Sequence, residues 1–334
     1  MLELYSNKMI NLSPQFTYEL VKKLDGIPGG GSTAWWSARV GKIYGQCPES
    51  LYPFNPSRKE EDFAKTIIPE EAYSTAREFN KRFYQYYQRL YTLEECFEGL
   101  KMSPLVFSFD CFEGIHTTKN GYIPVPRVGE KNTGNHTVSI YGYSKKKGVF
   151  KFQNSWGANW GNKGFGVLPF EYVKEGLVSE IWSMPMFQVQ QMETARRFDI
   201  TNKKGEGFTV QMQTLQSPRK IGSPLYFFDI FNSQDLQVGC ASASIIEIGT
   251  LEIEEMFIIP EYQNAGLGNS FLKLFEKIAS HNNITKVIGW IGAQDLMDAR
   301  EEKVLNFYKK NKYSVIDDYS KFRDCFYRIE KTIE

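Results

Sequence analysis

Hydrophobic and polar positions recur with two different periods along this chain. Residues 14–45 read as helix, glycine turn and helix. Residues 59–100 are charged and aromatic at helical spacing, as in Phe79, Phe83, Tyr86 and Tyr87. From about residue 104 the pattern turns to short β runs: Leu105-Val106-Phe107-Ser108-Phe109, Thr137-Val138-Ser139-Ile140-Tyr141 and Val149-Phe150-Lys151-Phe152. Helices followed by strands predict an α+β domain. Near residues 186–207 the composition becomes loop-like, as Met186-Phe187-Gln188-Val189-Gln190-Gln191 leads to Thr201-Asn202-Lys203-Lys204-Gly205-Glu206-Gly207. Beyond it come three strands, a glycine turn into a helix, then strand, helix and strand. No repeat or low-complexity tract interrupts this order.

The 334 residues are enough for about two domains. Apolar residues at 42% and charged ones at 24% exclude wholesale disorder and fibrous structure. No apolar run approaches the roughly 18 residues of a membrane span, and Met1-Leu2-Glu3-Leu4-Tyr5 lacks the basic and apolar regions of a signal peptide. The net charge of +1, with 22 basic and 19 acidic residues in 1–190 and 18 and 20 in 191–334, leaves neither half basic enough to mark nucleic acid as a partner. Cys47, Cys96, Cys111, Cys240 and Cys325 form no CxxC pair. That spacing argues against a disulfide framework or a metal site and favours a reducing cytoplasm.

One constellation stands in the β region. Gly134-Asn135-His136-Thr137-Val138-Ser139-Ile140 places a histidine at the head of an apolar strand, and Asn154-Ser155-Trp156-Gly157-Ala158-Asn159-Trp160-Gly161 follows, closing with Gly164-Phe165-Gly166. A histidine used as a base needs one ring nitrogen free and the other held by a fixed acceptor, which an asparagine oxygen can supply. This run resembles the C-terminal half of papain-like cysteine peptidases. The resemblance extends upstream to Leu12-Ser13-Pro14-Gln15, Gly29-Gly30-Gly31-Ser32-Thr33-Ala34 and Cys47-Pro48-Glu49-Ser50-Leu51-Tyr52-Pro53-Phe54, covering about residues 1–185. It implies His136 as catalytic base, Asn154 as its orienting partner and Trp156 as a shield. The family's nucleophile lies about 130–150 residues before the histidine, near or before residue 1, so the chain is expected to begin just after it. Cys47, Cys96 and Cys111 read as structural, and Gln15 is not placed as the oxyanion glutamine. This half is therefore expected not to cleave peptides, its His–Asn bond only joining two strands. His116 and His281 read as surface residues.

A second constellation follows residue 250. Strand Ile253-Glu254-Glu255-Met256-Phe257-Ile258-Ile259 runs through Pro260-Glu261-Tyr262 into Gln263-Asn264-Ala265-Gly266-Leu267-Gly268. A helix then carries Phe271, Leu272, Leu274, Phe275 and Ile278 on one face. Glycines at a strand-to-helix turn let backbone N–H groups approach an anion at the helix N-terminus. Walker spacing and the third glycine of a dinucleotide fingerprint are both absent. The wider pattern, Ile258-x-Pro260-x-x-Gln263-x-x-Gly266-x-Gly268 with Lys286–Ile291 and Phe307-Tyr308-Lys309-Lys310-Asn311-Lys312-Tyr313, resembles GNAT acetyltransferases over about residues 195–334. It implies that backbone amides of Gln263, Asn264, Ala265, Gly266, Leu267 and Gly268 hold the pyrophosphate of acetyl-CoA. It further implies that Ile258 pairs with the pantetheine arm in a splay between parallel strands, and that Tyr308 is the general acid. Glu254 or Glu255 would act as base, directly or through a water; otherwise they are solvated strand carboxylates. Asn311, Lys312 and Glu301 depart from the family pattern. The short gap between Phe208–Leu215 and Tyr226 leaves little room for the family's two acceptor-lining helices.

Together these readings give an α+β chain: a truncated papain-like domain at 1–187, a linker at 188–207, and a GNAT α/β acetyltransferase domain with a mixed, splayed sheet at 208–334. The expected activity is cytoplasmic, acetyl-CoA-dependent N-acetylation of a small-molecule, peptide or protein amine, with no metal, nucleic acid or membrane involved. A peptide in the papain-like cleft is a further candidate partner. Two alternatives remain: a fragment of an active peptidase–acetyltransferase fusion, and a non-catalytic protein that binds peptide and CoA. Residues 1–185 are expected to be less stable than 195–334.

Overall fold

The computed structural model describes residues 11–27, 29–118, 120–189, 195–292, 295–296, 301–320 and 325–333. Helix α1 (Pro14–Leu24) begins where the Ser13 hydroxyl accepts from the Phe16 N–H at 3.0 Å, with Pro14 in a first-turn position that needs no N–H. Helix α2 (Ala34–Tyr44) begins in the same way, Thr33 accepting from Trp36. Lys22 ties down the turn between them, pairing with Asp25 at 3.2 Å and donating to the Ile27 carbonyl at 2.6 Å. Helix α3 (Glu70–Arg82) carries acids in its first turn and bases in its last, matching its dipole.

The aromatic spacing beyond α3 is not helical. Phe83–Gln85 is strand β1, Tyr86 and Tyr87 lie in extended chain, and strand β2 (Gln88–Arg89) follows. Those rings are placed by tertiary burial instead: Tyr86 stacks on Phe187 and meets Phe227 edge-on, while Tyr87 meets Trp182 and Phe227. Helix α4 (Leu93–Gly99) opens with a reciprocal cap between Thr92 and Glu95.

Strands β3 (Leu105–Phe112), β4 (Asn132–Ser144), β5 (Val149–Gln153), β6 (Phe165–Pro169) and β7 (Val178–Ser183) contain the β runs read from the pattern. With β2 they form an antiparallel sheet in the order β2-β7-β3-β4-β5-β6 over a core that includes Phe107, Phe109, Phe150 and Phe152. Strand β8 (Met186–Gln188) pairs back onto β1.

The second domain supplies β9 (Arg196–Thr201), β10 (Gly207–Gln216), β11 (Pro224–Phe231), β12 (Gln237–Glu247) and β13 (Thr250–Ile258), then helix α5 (Leu267–His281), β14 (Lys286–Gly292), helix α6 (Glu301–Lys310), β15 (Ser314–Ser320) and β16 (Cys325–Thr332). Its strands form one sheet in the order β15-β16-β14-β13-β12-β11-β10-β9. Strand β9 lies inside the stretch expected to be a linker. Phe198 and Ile200 alternate there with polar neighbours, and β9 pairs with β10 from Arg196 to Thr201, so the sheet begins before residue 208. Among the described strands of this sheet only β13 and β14 run parallel, paired from Thr250↔Lys286 to Ile253↔Gly289, after which β13 continues without β14 on that side.

Both faces of this sheet are covered. Phe228, Ile230, Ala241 and Ala243 pack under α5 with Phe271 and Phe275. Leu225, Phe227, Cys240 and Phe257 face the other way and join Trp36, Ala38, Val40 and Ile43 of α2 in one buried cluster. The two domains therefore share a core.

Candidate functional site

In the first domain, pairing of β4 with β3 sets His136 opposite Phe109. The His136 Nε2 lies 2.8 Å from Asn154 Oδ1, an oxygen that also accepts from the Ser155 N–H. The Trp156 ring sits over the imidazole at 4.6 Å between centroids and is itself braced edge-on by Trp160. Nδ1 of His136 has no hydrogen-bond partner among the described residues. The five cysteines are free and buried. Burial pushes the thiols of Cys47 and Cys111 up to about 11 and that of Cys240 up to about 12, and it raises Cys96 as well. The Gln15 side chain is bonded to Glu19 at 2.8 Å and to the Asn55 N–H at 2.5 Å, a structural role.

In the second domain, Gly266 caps α5 at φ 93°, a left-handed conformation that suits glycine. The Gln263 N–H closes a turn onto Pro260, and its side chain donates to the Ile258 carbonyl at 2.9 Å. The N–H groups of Asn264 to Gly268 meet no protein acceptor in the described hydrogen bonds, and they lie at and just before the N-terminus of α5. Ile259 donates to Val238 on the β12 side, which by strand alternation turns Ile258 toward the gap that β14 has left. This unpaired cradle and open strand edge fit the pyrophosphate and the amide-bearing arm of acetyl-CoA. A Cβ on Gly266 would lie 2.9 Å from Lys203 Cγ. That lysine was read only as part of a polar linker; the β9–β10 turn brings it over the loop.

Tyr308 on α6 is half-buried; burial, reinforced by the negative charges of Asp295 and Glu255, raises its pKa well above the ordinary tyrosine range. Neither glutamate of β13 is a solvated strand residue. A bulge opposite Ser242 and Ala243 turns Glu254 and Glu255 to the same face, toward the first domain. Glu255 accepts from Arg39 Nη2 at 2.5 Å and Nε at 3.2 Å, from Trp35 Nε1 at 2.6 Å, from the Tyr87 hydroxyl at 3.2 Å, and from the Met256 N–H at 3.0 Å. A carboxylate offers about four lone-pair sites, so this one is saturated. Glu254 differs. Gln88 at 2.6 Å, Ser244, and Arg219 at 3.4 Å all bond its Oε1, leaving Oε2 without a described partner. Burial raises the Glu254 pKa against the lowering effect of Arg219. Among the departures from the family pattern, Asn311 bonds Asn269 of α5 at 3.0 Å, and Glu301 accepts from the Tyr327 hydroxyl. His281 bonds the Lys277 carbonyl at the end of α5.

Among the described residues no helix is long and apolar enough to cross a membrane, and no group of three or more His, Cys, Asp or Glu could hold a metal ion. Residues 5–180 match the model of the papain family cysteine proteases, and residues 192–313 match that of the GNAT acetyltransferase family. An uncharacterised peptidase C1-like protein of Acanthamoeba polyphaga mimivirus is 29% identical over 150 residues, 42% of this chain and 47% of that protein. Cathepsin B-like cysteine proteinase 3 of Ostertagia ostertagi is 30% identical over 97 residues, 28% of this chain and 53% of that protein. The chain thus spans about half the length of the curated relatives it matches. Among solved structures, xylellain, a cysteine protease from Xylella fastidiosa, matches at 21% identity and a TM-score of 0.47, covering 55% of this chain and 74% of its own. PaiA N-acetyltransferase from Thermoplasma acidophilum, in complex with coenzyme A, matches at 22% identity and a TM-score of 0.27, covering 32% and 60%. With the protease model matching more than half of its length, the chain belongs to the papain family of cysteine proteases, here joined in one polypeptide to a GNAT acetyltransferase domain.

Proposed function

We propose that this protein is an acetyl-CoA-dependent N-acetyltransferase acting on an amine, in a reducing, cytoplasmic setting suited to five free thiols. The observation that carries the reading is the unpaired N–H cradle of Asn264 to Gly268 at the α5 N-terminus, beside the strand edge that β14 leaves open at Ile258. When bound there, acetyl-CoA supplies a thioester whose carbonyl carbon the amine attacks, the C–N bond forming as the C–S bond breaks. Tyr308, kept protonated by burial, is assigned the general acid. Glu254, with one oxygen open, is assigned the base and acts through a water. Of the two protons an ammonium acceptor loses, one ends on sulfur by way of Tyr308, and the other leaves through Glu254 to solvent.

The papain-like half holds a base and its orienter, but none of its cysteines stands bonded to His136. Peptide cleavage by this chain would need a thiolate that these cysteines do not supply, so its cleft is assigned to binding a peptide. Calorimetric titration with acetyl-CoA tests the main reading. Micromolar binding that Gly266→Val abolishes supports it, because the new side chain strains the left-handed cap and collides with Lys203. Absence of binding to the unaltered protein overturns it.

A further inference from the structure

We propose that the protease-like domain positions the base of the transferase, directly through Gln88 of β2 and indirectly through Glu95 of α4, which grips Arg219. The inference rests on the transferase activity, and on the role of Glu254, proposed above.

Glu254 sits where three pieces of chain meet. Its Oε1 accepts from the Gln88 side chain at 2.6 Å, from the Ser244 hydroxyl of β12, and from Arg219 Nη1 at 3.4 Å. Gln88 is itself fixed. It is 1% exposed and pairs with Ser183 of β7 in the first domain's sheet. Its amide oxygen accepts from the Ser217 hydroxyl at 2.8 Å and from the Arg219 N–H at 3.2 Å. A side-chain amide carries both a donor and an acceptor on one rigid plane. Gln88 therefore clamps the carboxylate of Glu254 with one end and the β10–β11 loop that bears Arg219 with the other.

Arg219 is held from the opposite side by α4. Its Nε donates to Glu95 Oε1 at 3.0 Å, and its Nη1 also reaches Glu252 Oε2 at 3.3 Å. The guanidinium lies 5.2 Å from the centre of the Tyr91 ring. The other oxygen of Glu95 accepts from the N–H groups of Tyr91 at 2.6 Å and Thr92 at 3.2 Å, which ties it to the cap of α4. A chain of bonds thus runs from the first domain's α4 through Arg219 to Glu254.

This arrangement differs from that of Glu255 on the same strand. The donors to Glu255 occupy both of its oxygens, whereas those to Glu254 all meet on Oε1. Donors gathered on one oxygen fix the carboxylate plane and leave the other oxygen for the water that carries the proton. The cluster also balances the base. Glu95, Glu252 and Glu254 share the one guanidinium of Arg219, and this excess of negative charge favours proton uptake. The three donors on Oε1 favour the ionised form.

The test uses the full chain carrying glutamate labelled with carbon-13 at the side-chain carboxyl. The Glu254 signal is the one that disappears in Glu254→Gln, and its titration is followed by NMR with no acceptor present. Gln88→Leu removes a hydrogen bond to the ionised form and should raise the Glu254 midpoint by about one pH unit. Arg219→Gln should raise it further, and Arg219→Lys, which keeps the charge, should return part of that shift. Glu95→Gln removes a competing anion while keeping an oxygen for Arg219, so it should lower the midpoint. Glu95→Gln and Arg219→Lys keep the test decisive if Arg219→Gln fails to fold. Acetyl-CoA affinity, read by calorimetry, is expected to stay within about twofold in each variant. With a lysine-containing peptide as acceptor, the acid limb of kcat/KM should move with the midpoint, whereas a purely structural role would lower the rate at every pH and leave the limb in place. A Glu254 midpoint unmoved in both Gln88→Leu and Glu95→Gln overturns the positioning role alone. Failure of the unaltered protein to bind acetyl-CoA overturns the transferase reading and this inference with it.

Discussion

Arg39, on a helix of the protease-like domain, and Glu255, on a central strand of the acetyltransferase sheet, form a two-pronged ion pair closed from water, at 2.5 and 3.2 Å. Burial alone would discourage the guanidinium charge, but Glu255 more than offsets it and holds the Arg39 pKa above its ordinary value. A second buried pair, Lys42–Asp229 at 2.9 Å, crosses the same seam, and the shared apolar cluster surrounds both.

Such a pair is costly to break from one side. Glu255→Gln leaves a buried cation uncompensated and is expected to destabilise the protein by about 3–5 kcal/mol, whereas pairing Arg39→Met with Glu255→Met should recover most of the loss. Because the core is common to both halves, far-UV circular dichroism and tryptophan fluorescence should report one coincident unfolding transition. Two well-separated transitions would show that the domains fold independently.

The buried thiols make a prediction about chemistry. With Cys47 and Cys111 near 11, only about one thiol in several thousand is ionised at pH 7.5, and the thiolate is the reactive form. Iodoacetamide labelling of the native protein should be very slow at that pH and should rise about tenfold per unit of pH as the fraction ionised grows. A cysteine labelled rapidly at pH 7, with labelling lost in His136→Ala, would mean a paired thiolate exists and the peptidase half is armed.

Lys203 offers a milder test of the phosphate cradle. Its side chain lies against Gly266 at the head of α5. Lys203→Ala should weaken acetyl-CoA binding roughly two- to fivefold, on the order of 0.4–1 kcal/mol for an exposed charge pair. The difference should shrink at high salt. Equal affinity at all salt concentrations would remove Lys203 from the site.

How much of this was legible beforehand follows from range. Helices capped by Ser13 and Thr33, the His136 strand and the glycine turn at Gly266 are local patterns, and each appears where its period and turn chemistry put it. Tyr86 and Tyr87 mimic helical spacing because the rings answer to Trp182, Phe187 and Phe227, all at least 95 residues away. Glu254 and Glu255 look like solvated neighbours because a bulge cannot be read from one strand alone. The domain seam did leave a signal. Leu225-Tyr226-Phe227-Phe228-Asp229-Ile230 is apolar on both of its faces, which marks a strand covered on both sides. Arg39 and Trp35 carried no comparable mark, since their partner lies some 216–220 residues away.

The acid and base assignments separate by pH. Burial raises the pKa of both Tyr308 and Glu254, with opposite consequences. A general acid must be protonated, and a raised pKa keeps Tyr308 so throughout the assayable range. No alkaline loss of kcat should therefore trace to it below about pH 10, the ordinary tyrosine value. A general base must be ionised, so kcat/KM should fall as the pH drops through the raised Glu254 pKa, which lies above the usual carboxylate value. Tyr308→Phe should lower kcat by roughly 10²- to 10⁴-fold without moving that acid limb. Glu254→Gln should lower the rate and flatten the limb, while acetyl-CoA affinity, read by calorimetry, stays unchanged. A limb that persists in Glu254→Gln assigns the base elsewhere. An alkaline fall below pH 10 that vanishes in Tyr308→Phe shows the phenol ionising where its burial should forbid it.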